Sequence, residues 1–146
     1  MSATTFIDTS LLVWTQDSQD ARSQARAIER LKVESVTGVP TVSTNVLGEF
    51  YVALTKRRGR APLMSREDAA DRVRMAAHFN VVSVQKEHVI DALRLREKHQ
   101  LQFWDALNLA TAKASGCTLL LTADVQSAKV IEGVRFENPI RGSLQL

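Results

Sequence analysis

A chain of 146 residues, 45% hydrophobic and 24% charged, has the composition of an ordinary globular protein with room for one domain, 1–146, and none for two independent cores. No apolar run approaches the ~18 residues of a bilayer span, and Met1–Asp8 lacks the basic-then-apolar pattern of a secretory signal, so a cytoplasmic protein without membrane association is expected. A net charge of +3 and a sequence pI near 9.4 tilt the partner question toward anions without naming one.

Thr5, Phe6 and Ile7 predict a short strand ending at Asp8. Ala21, Ala25, Ile28 and Leu31 recur at helical spacing within Asp20–Val33. Thr41 and Val42 follow Gly38 and Pro40 as a second strand. Ser43 or Thr44 then caps a helix with the apolar stripe Val46, Leu47, Phe50, Tyr51 and Leu54, and Gly59 and Pro62 mark its end. A further helix opens at Ser65, with Asp68 in the capping position, and runs toward Phe79. Val81, Val82 and Val84 predict a third strand. Lys86 to His99 is helical, with Val89, Ile90 and Leu93 expected to face inward. Phe103 to Ser115 is helical and closed by Gly116. Leu119, Leu120 and Leu121 form a buried strand ending at Thr122, Val125–Ile131 is expected as a short helix, and Val134–Phe136 as a last strand before Pro139.

Alternating strands and helices argue for an α/β fold of three layers, a central parallel sheet flanked by helices. Cys117, the only cysteine, cannot form an intramolecular disulfide and reads as a small buried hydrophobe.

Ligand sites of parallel sheets gather beyond the carboxyl ends of the strands. Asp8 and Asp124, distant in sequence, both follow strands and so fall on one rim, although an Asp after a strand is also a helix N-cap. Asp105 lies in the first turn of a helix that is apolar nearly all round, where a carboxylate must find a partner or take a proton; a metal ion at the rim would serve. Asn108, one turn on, either orients Asp105 or is a plain buried amide. Glu49, roughly 130° from the centre of its helix's apolar stripe by the 3.6-residue period, reads by itself as a solvated surface acid.

Four segments carry a resemblance: Phe6-Ile7-Asp8-Thr9-Ser10, Ser43-Thr44-Asn45-Val46-Leu47-Gly48-Glu49-Phe50, Phe103-Trp104-Asp105-Ala106-Leu107 and Leu121-Thr122-Ala123-Asp124. In this order the sequence resembles the PIN-domain ribonucleases, and among them the VapC toxins of toxin–antitoxin pairs. Gly133-Val134 and Asn138-Pro139 look like that family's closing strand, so the likeness runs from about Thr5 to Pro139. The resemblance implies a PIN-like fold and an endoribonuclease that uses Mg²⁺ or Mn²⁺. It brings Glu49 into the site beside Asp8, Asp105 and Asp124. Asp8 and Asp105 are then the main metal ligands, Asp124 completes the site directly or through water, and Glu49 positions water or acts as general base. Thr9, Ser10 and Thr122 either hold these acids or simply cap turns. The resemblance also implies an RNA substrate, a cognate antitoxin and a homodimer. A catalytically silent PIN-fold binding or adaptor module is the alternative.

Other residues point less far. Lys56, Arg57, Arg58 and Arg60 are either a solvated helix end or an edge that contacts phosphates. His78, His88 and His99 lack the spacing of a zinc helix and suit surface or helix-end roles. Asp17, Asp20 and Asp91 read as solvated or capping acids, and Trp14 and Trp104 as core or interface residues rather than base-stacking platforms. A phosphotransfer enzyme of the haloacid-dehalogenase type needs a second Asp two residues after the first, where Ser10 stands. A receiver domain needs an Asp after the third strand, where Gln85 and Lys86 follow Val84. No glycine-rich phosphate loop is present.

Overall fold

The computed structural model of the chain describes residues 4–142. Its first part runs β1 (Thr4–Ile7), α1 (Thr9–Trp14), α2 (Ala21–Thr37), β2 (Thr41–Ser43), α3 (Thr44–Thr55), α4 (Arg66–Ala76) and β3 (Asn80–Val82). The second continues with α5 (Lys86–His99), α6 (Phe103–Ala114), β4 (Cys117–Leu121), β5 (Lys129–Ile131), β6 (Val134–Glu137) and α7 (Pro139–Gly142). The strands form one sheet in the order β3-β2-β1-β4-β6-β5, parallel except where β5 meets β6. This is the expected α/β architecture with its helix-flanked central sheet.

The chain builds outward from β1 to β2 and β3, then returns to the other side of β1 at β4. With right-handed crossovers, this reversal sends α1–α4 to one face of the sheet and α5–α6 to the other. It also opens a crevice at the carboxyl ends of β1 and β4, where Asp8 falls.

Burial explains why these strands are central. Phe6, Ile7, Leu120 and Leu121 are consecutive pairs with almost no exposure, as a strand covered on both faces requires. On α3 the residues Val46, Phe50 and Leu54 enter the core, so its stripe belongs to the fold rather than to a partner. Seven consecutive residues of α6, Ala106–Ala112, are buried, which makes it the helix nearest the centre. Ser43 accepts the Val46 N–H at 3.0 Å to start α3, and Ser65 accepts the Asp68 N–H at 3.1 Å to start α4. Cys117 is buried, which pushes its thiol up. Among the described residues no helix is long and apolar enough to cross a membrane.

Several expectations need correcting. The segment Val125–Ile131 is not a helix: it holds an irregular stretch and then β5, which turns back into β6 through Glu132 and Gly133. Both turn residues have positive φ, 49° and 84°, the signature of a two-residue hairpin of the type that follows the twist of its strands. Glu132 tolerates this because Arg94, His99 and Lys113 all bind its carboxylate. The face of α5 is also rotated from the expected one. Ala92 and Leu95 are buried, while Val89, Ile90 and Leu93 are exposed, because the close approach of α5 to α6 admits the alanine side. Thr9–Trp14 forms a helix that its short length hid. Strand β3 stops at Val82, and Val84 instead donates its N–H to Thr44 Oγ1 at 3.2 Å. Helix α4 ends at Ala76, before Phe79.

Candidate active site

Asp8 is a firmly anchored carboxylate. It follows the last residue of β1, its own N–H bonds to Leu121 O at 2.9 Å, and only 6% of the residue is exposed. Oδ1 accepts the Thr9 N–H at 2.7 Å and the Asn108 amide at 2.9 Å. Oδ2 accepts the Thr122 hydroxyl at 2.8 Å and the Ser10 hydroxyl at 3.0 Å. Four donors on one carboxylate remove its freedom to rotate. The two hydroxyls also accept: Ser10 Oγ takes the Ala123 N–H at 2.9 Å, and Thr122 Oγ1 the Asp124 N–H at 3.1 Å. The loop after β4 is thereby folded onto the end of β1, which brings Asp124 to Asp8. Asn108 thus serves Asp8 rather than Asp105, since its amide reaches across to β1.

Glu49 is half-buried on α3, where Thr9 Oγ1 donates to its Oε1 at 3.1 Å and Asn45 Nδ2 at 3.3 Å. Its helix turns its polar side to the cleft, not to open solvent, because α1 stands against it. Asp105 is half-buried in the first turn of α6, and Asp124 is the most exposed of the four. All four line one cleft of about 470 Å³ with Thr9, Ser10 and Asn108. Burial, Asp8 and Asp124 raise the Glu49 carboxyl above its ordinary range, against the Thr9 hydrogen bond. Burial raises Asp105, with the charges of Asp8, Asp124 and Glu49 adding and Lys129 opposing. Burial and Asp8 raise Asp124. Each acid feels others, so the cleft is a concentration of like charge.

The basic cluster enters the same cleft in part. Lys56 is the exposed C-cap of α3, the rest of the cluster forms a turn beyond it, and Gly59 at φ 68° allows the tight return between Arg57 and Arg60. Arg57 and Arg60 line the cleft; Lys56 and Arg58 do not. Arg57 donates to Ala61 O at 2.9 Å and faces Asp17 at 3.9 Å, and Arg60 binds the Gln19 side chain.

The chain matches the sequence model of the PIN domain family over residues 5–132. It belongs to the PIN domain family. No curated protein matches it by sequence. Among solved structures this PIN domain is similar to VapC20 of Mycobacterium tuberculosis, described as a sarcin–ricin loop cleaving toxin, at 25% identity and a TM-score of 0.62, over 80% of this chain and 86% of that one. A toxin–antitoxin complex from Klebsiella pneumoniae matches at 20% identity and a TM-score of 0.64, over 92% and 97%. VapBC2 from Rickettsia felis, bound to a promoter DNA fragment, matches at 15% identity and a TM-score of 0.67, over 92% and 98%. The last two likenesses speak for the fold alone.

Among the described residues no three acid, His or Cys side chains stand ready-made as a metal cage. The chemistry of the four acids nevertheless fits a hard divalent cation. They offer only oxygen, they crowd like charge, and three of them are held above their ordinary pKa by burial and by one another. The histidines lie elsewhere: His88 Nδ1 accepts the Gln85 N–H at 3.0 Å, His78 meets Arg74 O at 3.1 Å, and His99 meets Glu132 at 2.7 Å. Asp20 caps α2, and Asp91 pairs with Arg94.

Three cleft residues escaped the sequence. Asp17 lines the cleft as a fifth acid, and Trp14, which also packs against the core, and exposed Trp104 line it too. The position of Trp104 beside Asp105 was the available signal.

Proposed function

We propose that this PIN domain, spanning the whole chain, is a metal-dependent endoribonuclease that hydrolyses RNA phosphodiester bonds as the toxin of a VapBC-type pair. The observation that carries this is the convergence of Asp8, Glu49, Asp105 and Asp124, from four separate elements, on a cleft that Arg57 and Arg60 also line. The likeness to a sarcin–ricin loop cleaving toxin at 25% identity supports it. The ends of the proposed domain, residues 1–3 and 143–146, lie outside the described residues.

Asp8 and Asp105 would be the principal ligands of Mg²⁺ or Mn²⁺, with Asp124 completing the site and Glu49 at its edge. Such an ion supplies, when bound, an activated water and a counter-charge for the phosphate. The protein's own contribution is positional. The four donors on Asp8 hold its oxygens where a ligand is needed, without reorganisation on binding. Thr9 and Asn45 aim Glu49 into the cleft, and its raised pKa brings it closer to the range in which a carboxylate accepts a proton from water and releases it again. Arg57 and Arg60 hold phosphate oxygens of the chain being cut.

An antitoxin that covers the acidic cleft and a homodimer complete the proposal. The exposed residues Val89, Ile90 and Leu93 of α5 offer one apolar face for a dimer, and a strictly monomeric mass by light scattering at micromolar concentration would remove that part. The activity is tested by incubating RNA with purified protein and Mn²⁺ beside an Asp8→Asn control. Cleavage by the wild type alone is expected; equal cleavage by both, or by neither, rejects the site.

A further inference from the structure

Among the described residues, Trp104 is the only aromatic side chain among the large exposed hydrophobics, with 56% of its surface open. It sits at the second position of α6, next to Asp105, and lines the acidic cleft. Phe103 braces it through a T-shaped contact, with centroids 5.1 Å apart at 75°, which orients the indole without covering it. Half-buried Trp14, at the end of α1, lines the same cleft. Its surroundings are not those of a dry protein contact, because Asp8, Glu49, Asp105, Asp124, Arg57 and Arg60 share the lining. Aromatic rings set among cations that track a phosphate backbone are the working surface of proteins that hold single strands.

We propose that Trp104 is a base-stacking platform that makes the cleft select an unpaired nucleotide beside the phosphate to be cut, an inference that rests on the ribonuclease reading. A base within a duplex has both faces covered by its neighbours and cannot lie on the indole. An unpaired or splayed base can, while Arg57 or Arg60 takes a neighbouring phosphate. Stacking does not depend on base identity, so Trp104 contributes affinity and strandedness, and base choice falls to other groups.

The test uses the full chain with Trp14→Phe, which leaves Trp104 as the one fluorescent tryptophan. A short oligouridylate is titrated in chelator-containing buffer of low ionic strength, alone and annealed to oligoadenylate. Saturable quenching by the free strand and much weaker binding of the annealed one are expected. Read by the anisotropy of an end-labelled strand, which needs no tryptophan in the protein, Trp104→Ala should weaken binding of the free strand by about ten-fold or more, and Trp104→Phe should restore most of it. With Mn²⁺, Trp104→Ala should raise KM for an unpaired substrate more than it lowers kcat. An unchanged Kd and KM in Trp104→Ala overturns the platform. So does loss of a dimer by light scattering with RNA binding intact, which would make Trp104 a protein contact. Quenching of Trp104 without Mn²⁺-dependent cleavage of any RNA leaves the platform standing and rejects the nuclease reading; cleavage with an unchanged KM does the reverse.

Discussion

Asn108 Nδ2 donates to Asp8 Oδ1 at 2.9 Å, joining the buried middle of α6 to the carboxyl end of β1 across 100 residues of chain. Both side chains are largely buried, which strengthens the bond. Asn108→Leu leaves Oδ1 with the Thr9 N–H alone and should cost about 1–3 kcal/mol. Asn108→Asp places a second carboxylate against the first and should cost more. Thermal melts of the metal-free variants at neutral pH measure this. Metal-dependent cleavage should fall about ten-fold in Asn108→Leu, because the ligand is then free to rotate. A melt equal to wild type would show that the bond is dispensable.

The raised carboxyls make stability depend on pH with a definite sign. Glu49, Asp105 and Asp124 stand above their ordinary values of 4.5, 3.8 and 3.8 in the folded state. Between the ordinary and the raised value the native state holds more protons than the unfolded chain, so stability falls as pH rises through that window. The metal-free protein should therefore melt higher as pH is lowered from neutrality into the raised carboxyl range. Glu132 acts oppositely. Arg94, Lys113 and His99 hold its pKa far below 4.5, and its contribution is present above 4.5 and lost as pH falls below it. Melting temperatures from ~pH 4 to ~pH 8 should pass through a maximum on the acid side of neutrality, and the gain should shrink in Asp105→Asn. A metal-free melting temperature that climbs steadily to pH 8 contradicts the crowding of the acids.

Asp105→Asn removes one charge and nearly keeps the shape. It should abolish metal-dependent cleavage, suppress the rise in melting temperature that Mn²⁺ gives the wild type by mass action, and leave the metal-free fold as stable as before or more so. A pure helix-start role for Asp105 predicts instead a loss of about 1 kcal/mol with cleavage intact. Melts of both proteins, with and without Mn²⁺, decide between the two.

Of the basic turn, Arg57 and Arg60 face the cleft and Arg58 does not. Arg57→Ala and Arg60→Ala should each weaken RNA binding and reduce the slope of log K against log[salt] by roughly 0.7, the value for one phosphate contact on a single strand. Arg58→Ala should leave the slope as it was. Equal slopes for all three variants and the wild type would make the turn ordinary surface.

The fold was legible wherever burial imposes a pattern. Phe6-Ile7 and Leu119–Leu121 announce strands covered on both faces, and the near-continuous apolar run of α6 announces a buried helix. Where the pattern was local it misled. Val125 and Ile131 suit a helix as well as a turn and strand, and only the positive φ at Glu132 and Gly133 selects the hairpin. Helix α5 offered two adjacent apolar faces, and packing against α6 chose the alanine side. In the site, strand ends put Asp8 and Asp124 on one rim but left a helix-cap reading open, and Asp8 does cap α1 as well as line the cleft. Glu49 had no such signal, because its burial comes from α1, a six-residue helix too short to show a period. Asp17, Arg57 and Arg60 meet the acids only through tertiary folding, while Trp104 had only its place beside Asp105 as a signal.

The anchoring of Asp8 divides the site by how it opens. The Asp8 amide bonds to Leu121 O at the centre of the sheet, between strands with no exposed residue at Phe6 or Ile7. That amide should exchange its hydrogen only when the whole molecule unfolds. Asp124, exposed and held through its N–H to a single hydroxyl, belongs to a segment that can open by itself at far smaller cost. One ligand of the proposed metal thus shares the lifetime of the native state, while its partner across the crevice exchanges on the timescale of a loop.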